Sequence, residues 1–257
     1  MRRFNSRTVH RYLAIVIGIQ LLFWTTSGLI FSWNSIKVVR GEDLVREGDA
    51  LDLKNVETLS LHELCTRNET ELVGVELENV VLRTMLDKPV FELTICRTEA
   101  AGPHYILLDA ISGKKLSPLP KELAIRIAQQ DFSETADVKL AELIVDEVSS
   151  HSEYRGKELP VWRVTLDHPT GTVIYVSADR GIVMARRNHR WRLFDFFWML
   201  HTMDYQGRDN FNSWLLRIAS VLGVVTVLSG YWLWWRTTRV FRLTRVKSRS
   251  KNRSTIE

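Results

Sequence analysis

The sequence has few of the features that mark a hydrolase, a nucleotide-binding enzyme or a disulfide scaffold. Two of its 257 residues are cysteines, which excludes a disulfide-dense fold and a four-thiolate zinc or iron–sulfur site. The sequence also lacks the glycine-rich nucleotide motifs, the serine-hydrolase elbow, the HExxH zinc motif and the C-x-x-C redox motif. Hydrolytic and nucleotide-binding functions are therefore not favoured.

Charged residues are missing from two stretches. Tyr12–Trp33 contains 22 residues without a charge, and as a helix it would span about 33 Å, enough to cross a bilayer core. It is longer than the apolar part of a signal peptide and ends in an aromatic residue, which favours an uncleaved span. Ile218–Trp235 is also free of charge, and with the apolar residues before it predicts a second transmembrane helix over 211–235.

Basic residues flank both apolar stretches. Residues 1–11 carry four arginines and no acid, residues 236–257 carry eight Lys and Arg and one Glu, and the region between is net acidic. Such a partition indicates a membrane protein rather than a nucleic-acid-binding one, and the positive-inside rule places both basic ends in the cytoplasm. We therefore expect a multi-pass protein of the bacterial inner membrane whose main domain, residues 34–190, is periplasmic.

A third apolar patch, Leu193–Leu200, is too short to span a membrane and contains Asp195. Two interpretations stay open for residues 191–205. They form an amphipathic helix that lies at the membrane interface, or one that packs on the soluble domain.

The region between the spans contains a repeat. Val90–Ile95 matches Val161–Leu166 at an offset of 71 residues, and the run from Ile106 to Gly113 matches the run from Ile174 to Gly181 at an offset of 68. Each unit reads as two strands followed by a glycine turn, with a short helical pattern before it over Ser60–Arg67 or Pro120–Phe132. The sequence predicts an α+β domain of two similar halves, each a helix on antiparallel strands.

Several motifs together resemble the PepSY-associated transmembrane proteins. They are the His10–Leu13 segment that opens the first apolar helix, the Ser27-Gly28-Leu29 segment near its end, the hairpin with Tyr105 and Asp109 that is repeated downstream, Leu200-His201, and the Ser229–Trp234 segment. The resemblance covers nearly the whole chain, and implies that the two halves are PepSY-like.

Relatives in this group include inner-membrane ferric-siderophore reductases that carry b-type haems on helix histidines, and this chain resembles a half-size version of them. The resemblance implies a haem-associated electron-transfer component linked to iron or siderophore reduction. Other PepSY modules occur in protease propeptides and peptidase regulators. The alternative is therefore a membrane-anchored peptide- or protease-binding regulatory module without redox activity.

Seven histidines are available, and two of them stand beside the predicted spans. His10 lies at the cytoplasmic edge of the first span and His201 at the outer edge of the second, and both match positions of the resembling family. Neutral imidazole can hold haem iron axially, so we expect His10 and His201 to be ligands of haem b. The alternative without a ligand is a polar interface residue in a basic flank for His10, and a helix cap or a surface contact beside Asp204 for His201.

The two histidines should lie about a bilayer apart, so one chain cannot use both on one haem. A homodimer could pair each histidine with its equivalent, or a membrane redox partner could supply the second ligands; the regulatory alternative requires a periplasmic protein partner. Cys65 and Cys96 would face an oxidising compartment, and whether they form a disulfide stays open.

Overall fold

The computed structural model describes residues 6–46, 48, 56–96, 103–146 and 148–238. The first five residues and most of the predicted basic tail, 239–257, lie outside the described residues. The chain divides into two compact units, one of residues 1–33 with 195–257 and one of residues 34–194.

The described part of the chain has a long helix near each end, and two sheets with shorter helices lie between them along the sequence. In chain order they are α1 (Ser6–Trp33), α2 (Ile36–Val39), α3 (Leu61–Arg67), α4 (Glu69–Leu72), β1 (Glu76–Met85), β2 (Lys88–Cys96), β3 (His104–Asp109), α5 (Lys121–Asp131), β4 (Asp137–Ile144), β5 (Val161–Asp167), β6 (Val173–Ser177), β7 (Val183–Arg187), α6 (His189–Thr202) and α7 (Trp214–Thr237). The expected mixed α+β class is confirmed.

Helices α1 and α7 form the first unit with the end of α6, and both are long and apolar enough to cross a membrane. Helix α1 begins before the predicted Tyr12 because the helical backbone continues through the basic flank. Helix α7 begins at Trp214 rather than 211, where the Ser213 hydroxyl accepts the Leu216 N–H and caps the helix. Most of their apolar side chains are exposed, as suits contact with lipid.

Helix α6 covers much of the predicted 191–205 segment and contributes a buried charge. Asp195 is 5% exposed and forms an ion pair with Arg208, which lies in the loop before α7. A carboxylate can be buried at this depth because an opposite charge compensates it. The pair joins α6 to the loop that leads into α7.

The second unit contains two antiparallel sheets, in the orders β1-β2-β3 and β4-β5-β6-β7. The repeated segments form β2 and β5, each the second strand of its sheet, and β1 and β4 each carry an irregularity near their start. The N–H of Ala110 donates to the carbonyl of Pro89, and the N–H of Ala178 donates to that of Pro160, both at 3.1 Å. The sequence repeat is therefore also a repeat of strand pairing.

Each sheet is covered by the helix that precedes it. Leu64 of α3, which begins with a capping box of Ser60 and Glu63, packs on Leu93 and Ile106 of the first sheet. Helix α5 places Ile127 in a larger core that includes residues of both sheets. Strands β1, β4 and β7 complete the sheets, although the sequence pattern had not singled them out.

A buried ion cluster connects the first sheet to the turn after β6. Glu92 on β2 is 5% exposed, and its carboxylate accepts hydrogen bonds from Arg83 at 3.1 Å and Arg180 at 2.9 Å. The guanidinium of Arg180 also lies over the Tyr105 ring, 4.3 Å from its centre. Because one carboxylate satisfies two guanidinium groups here, the cluster fixes the turn against the sheet.

Cys65 and Cys96 are both free thiols. The Cys96 thiol donates to Glu78 at 3.4 Å, and this contact and burial raise the pKa of that thiol. The structure therefore contains no disulfide between these two cysteines, a pairing that the sequence had left open.

Candidate functional site

Helix α1 presents a histidine–serine contact near its beginning. The Nδ1 atom of His10 lies 2.7 Å from the hydroxyl oxygen of Ser229 on α7. The Ser229 hydroxyl in turn donates to the backbone carbonyl of Thr226, one turn earlier, at 2.8 Å. His10 is thus held to the opposite long helix by its Nδ1 side.

A second histidine–serine contact lies near the end of α1. Here α1 supplies the serine, and α6 supplies the histidine. The Nδ1 atom of His201 on α6 lies 2.6 Å from the hydroxyl oxygen of Ser27, which is fully buried on α1. The Ser27 hydroxyl donates to the Trp24 carbonyl at 3.0 Å. We call these contacts the His10–Ser229 pair and the His201–Ser27 pair.

Two further side chains of α1 hold the last turn of α6. The Gln20 amide donates to the Leu200 carbonyl at 3.1 Å, and the Trp24 indole N–H donates to the His201 carbonyl at 2.8 Å. Carbonyls at a helix end have no partner within the helix, so these donors satisfy groups that would otherwise be left open. The His201 ring also contacts the Phe31 ring, with 5.6 Å between their centres.

Burial lowers the pKa of His201 below its ordinary value of 6.5. Desolvation disfavours the charged imidazolium, so the neutral ring is the dominant form at neutral pH. Neutral imidazole is the form that binds a metal ion through nitrogen.

The Nε2 atoms of both rings face away from the serines. Among the residues that the structure describes, neither Nε2 has a hydrogen-bond partner. Beside His10 lies an open groove of about 500 Å³, lined by His10, Thr226, Val227, Gly230, Tyr231 and Trp234. This volume lies within the range of sites that bind cofactor-sized molecules.

The two pairs lie at opposite ends of α1. His10 and Ser27 are separated by 17 residues of continuous helix, which corresponds to about 26 Å along the axis. The structure therefore does not bring His10 and His201 together.

The sequence predicts the two histidines as candidate ligands, but it does not predict which residues they bond. Ser27 and Ser229 belong to the S-G-x-x-x-x-W pattern that both spans share, and its repetition was the available signal. Small residues in membrane helices often mark places where two helices approach closely. Gly230 does lie against His10, but no described residue lies within 4 Å of a side chain built at Gly28.

Haem iron is held by single imidazoles rather than by a cluster of side-chain donors. In the described part of the chain, no group of three or more His, Cys, Asp or Glu side chains forms a metal site. Each end instead offers one imidazole that is anchored through Nδ1, and one anchored imidazole is what a single axial position needs. At the His10 end the anchored imidazole and the groove beside it fit one haem ligand per chain, and at the His201 end the anchored imidazole alone fits that role.

One comparison with known proteins gives a match. A family model described as the PepSY-associated TM region matches residues 7–256. Among curated proteins and among solved structures, nothing matches the chain.

Proposed function

The chain belongs to the PepSY-associated transmembrane family, and from this premise we propose that it is a haem-carrying electron-transfer component of a bacterial inner membrane. Its role would be to pass electrons across the membrane toward ferric chelates or another acceptor in the periplasm. Both termini would be cytoplasmic, and residues 34–190 would form a periplasmic domain of two PepSY-like halves.

The observation that carries the proposal is the matched anchoring of two histidines at the two ends of one apolar helix. A structural histidine satisfies its hydrogen bonds wherever neighbours allow. Here His10 and His201 both bond a serine through Nδ1, and each leaves its Nε2 without a partner among the described residues. Metal-binding histidines commonly show this arrangement, with one ring nitrogen fixed by a hydrogen bond and the other on the metal.

The residues of this chain would perform three tasks at the haem sites. His10 and His201 would supply axial nitrogen, while Ser229 and Ser27 would orient the rings. Apolar and aromatic residues such as Trp234 and Phe31 would keep water from the macrocycle. When bound, haem supplies an iron that changes between the ferric and ferrous states.

A second axial ligand must come from outside the chain if the haems are six-coordinate. A two-fold dimer would bring two copies of His10 to one haem and two copies of His201 to another. A membrane redox partner that contributes its own histidines would satisfy the same need.

The alternative function is a membrane-anchored module that binds an extended peptide or a protease. It is favoured by strand β1, which pairs with β2 on one side and is the terminal strand of its sheet. Its first residues, Glu76–Asn79, are exposed. Such an edge could accept an added strand, and its glutamates would favour a basic peptide.

A visible spectrum of the full chain, purified in detergent from haem-replete cells, separates the two functions. Haem ligated by histidines gives a Soret band and sharp α and β bands after reduction. We expect His10→Ala and His201→Ala each to lower the haem per protein, and the double variant to abolish it.

His62→Ala and His151→Ala serve as matched controls, because both residues lie in the second unit and should keep full haem content. Colourless wild-type protein, or full haem content in the double variant, would contradict the redox function and favour the peptide-binding one.

A further inference from the structure

We propose that Ser27 and Ser229 are positioning residues that hold His201 and His10 as the Nδ1–H tautomer, so that Nε2 is the nitrogen presented to iron. The assignment of Nε2 to iron depends on the proposed haem function, whereas the assignment of the tautomer does not. Nothing in the sequence pattern had indicated which ring nitrogen carries the proton.

The argument begins with the single proton of the Ser27 hydroxyl. The Ser27 oxygen lies 3.0 Å from the Trp24 carbonyl and 2.6 Å from Nδ1 of His201. A carbonyl can only accept, so the first contact is a hydrogen bond only if the hydroxyl donates to it. The hydroxyl oxygen must then accept from Nδ1, which places the ring proton on Nδ1.

The opposite assignment leaves one contact unsatisfied. If the hydroxyl donated to Nδ1 instead, its oxygen and the Trp24 carbonyl oxygen would face each other without a proton between them. In the apolar surroundings of Ser27, which is fully buried, two oxygen atoms 3.0 Å apart without a proton between them repel each other, so this assignment is disfavoured. The Nδ1–H tautomer satisfies both contacts.

The His10–Ser229 pair repeats the geometry and therefore the assignment. The Ser229 oxygen lies 2.8 Å from the Thr226 carbonyl and 2.7 Å from Nδ1 of His10. Both serines bond a carbonyl three residues earlier in their own helix, which is a common position for a helical serine hydroxyl. Two independent sites thus give the same proton position.

The consequence concerns chemistry at Nε2. Free histidine favours the proton on Nε2, where it would block metal binding, so the serines would act against the intrinsic preference of the ring. An Nδ1–H that donates a hydrogen bond also makes Nε2 a stronger electron donor to a bound metal. The serines would therefore both expose the ligating nitrogen and lower the reduction potential of the haem.

The test is nuclear magnetic resonance of the full chain, labelled with ¹⁵N-histidine and prepared without haem in detergent at pH 8. We expect the Nδ1–H tautomer to be the major form at both His10 and His201. Ser27→Ala should reduce the ratio of Nδ1–H to Nε2–H at His201 by about fivefold, the effect of one ordinary hydrogen bond, and leave His10 unchanged. Ser229→Ala should do the reverse.

Three variants provide controls for the chemistry of the hydroxyl. Ser27→Thr and Ser229→Thr keep the hydroxyl and should retain the wild-type tautomers. Ser32→Ala removes a serine of α1 that also donates to a carbonyl three residues earlier, at 2.9 Å, but is exposed at the helix end. It should leave both rings unchanged.

A second readout uses the haem-loaded chain. Ser27→Ala and Ser229→Ala should each raise the midpoint potential of the haem at their own end, and the threonine variants should restore it. A wild type in which the Nε2–H tautomer is the major form, or tautomers that do not respond to either alanine variant, would overturn the proposal whatever the haem content. Tautomers that respond as expected in a chain that binds no haem would support the positioning role and overturn the proposed function.

Discussion

The two histidine–serine pairs are held by the same kind of hydrogen bond, but their surroundings differ. The His201–Ser27 pair is enclosed, with a fully buried serine, an aromatic neighbour in Phe31 and two donors from α1 on the end of α6. The His10–Ser229 pair joins α1 to α7 beside an open groove. The His201 end is therefore built for a fixed geometry, and the His10 end leaves room next to the ring.

This difference suggests a division of roles within the proposed function. A ligand that is enclosed by aromatic rings and backbone contacts resists rearrangement, which suits an outer-sphere electron carrier. A ligand beside an open groove can accommodate a macrocycle or a second chain. Variants around the two pairs test whether the two ends differ in this way.

The largest effect should come from the buried ion pair at the His201 end. Asp195→Ala leaves the partly buried Arg208 without its compensating carboxylate, and because Arg208 keeps some contact with solvent we expect unfolding to become about 2–3 kcal/mol easier. Thermal unfolding in detergent measures the loss, and hydrogen exchange should place it in residues 195–202 rather than around His10. The double variant Asp195→Leu with Arg208→Leu should recover most of the stability, and no recovery would show that packing rather than charge is responsible.

A smaller effect should follow from removal of one donor to the end of α6. Trp24→Phe keeps an aromatic ring but loses the N–H that donates to the His201 carbonyl, with an expected cost of about 1 kcal/mol. The matched control is Trp33→Phe, because Trp33 on the same helix is 80% exposed. Equal melting temperatures for the two variants would argue against a fixed His201 end.

Glycine substitutions test the room beside His10. A methyl group at Gly230 would lie 3.3 Å from Cε1 of His10 and 3.8 Å from its Nε2, so the ring must shift by a few tenths of an ångström. We expect Gly230→Ala to cost about 1 kcal/mol and to reduce haem per protein at the His10 end. Gly28→Ala meets no described residue within 4 Å and should keep full haem content without loss of stability, because alanine favours helix over glycine. Identical behaviour of the two variants would show that the groove is more tolerant than the geometry indicates.

The smallest effect concerns acid stability of the loop that follows α6. Desolvation raises the pKa of Asp204, but the backbone N–H groups of Asn210 and Gly207 donate to its carboxylate and hold the pKa below its ordinary value of 3.8. The stabilisation is present above that value and is lost as the pH falls through the lower folded-state pKa. Asp204→Asn should therefore unfold with a weaker dependence on pH below about 4, and an unchanged acid profile would contradict this.

Much of the architecture could be predicted because it depends on local pattern. Absence of charge over Tyr12–Trp33 marks a span, and alternation marks β2 and β5. Strand β1 escaped the pattern because its first residues are exposed on both faces and its pairing shifts between Leu77 and Asn79. Where a strand is exposed on both faces over part of its length, period-two alternation is too weak to detect.

The candidate site was predictable only in part, for a different reason. Histidines beside apolar runs are visible in a sequence, so His10 and His201 could be singled out. Their partners are 219 and 174 residues away, and helical periodicity does not determine which faces of distant helices meet. The protonated nitrogen depends on a serine, a carbonyl and a ring together, and that geometry requires the folded chain.

The ion cluster around Glu92 shows that the two similar segments of the second unit differ in charge at a buried position. At the repeat offset of 71 residues, Glu92 corresponds to Arg163, so one position carries opposite charges in the two segments. Glu92 is buried against Arg180 of the second segment, whereas Arg163 meets Glu142 near the surface at 3.3 Å. A hybrid chain with the second segment in both places would bury an arginine opposite Arg180. The two segments are therefore not interchangeable, and the charges at this position admit only one order of the two along the chain.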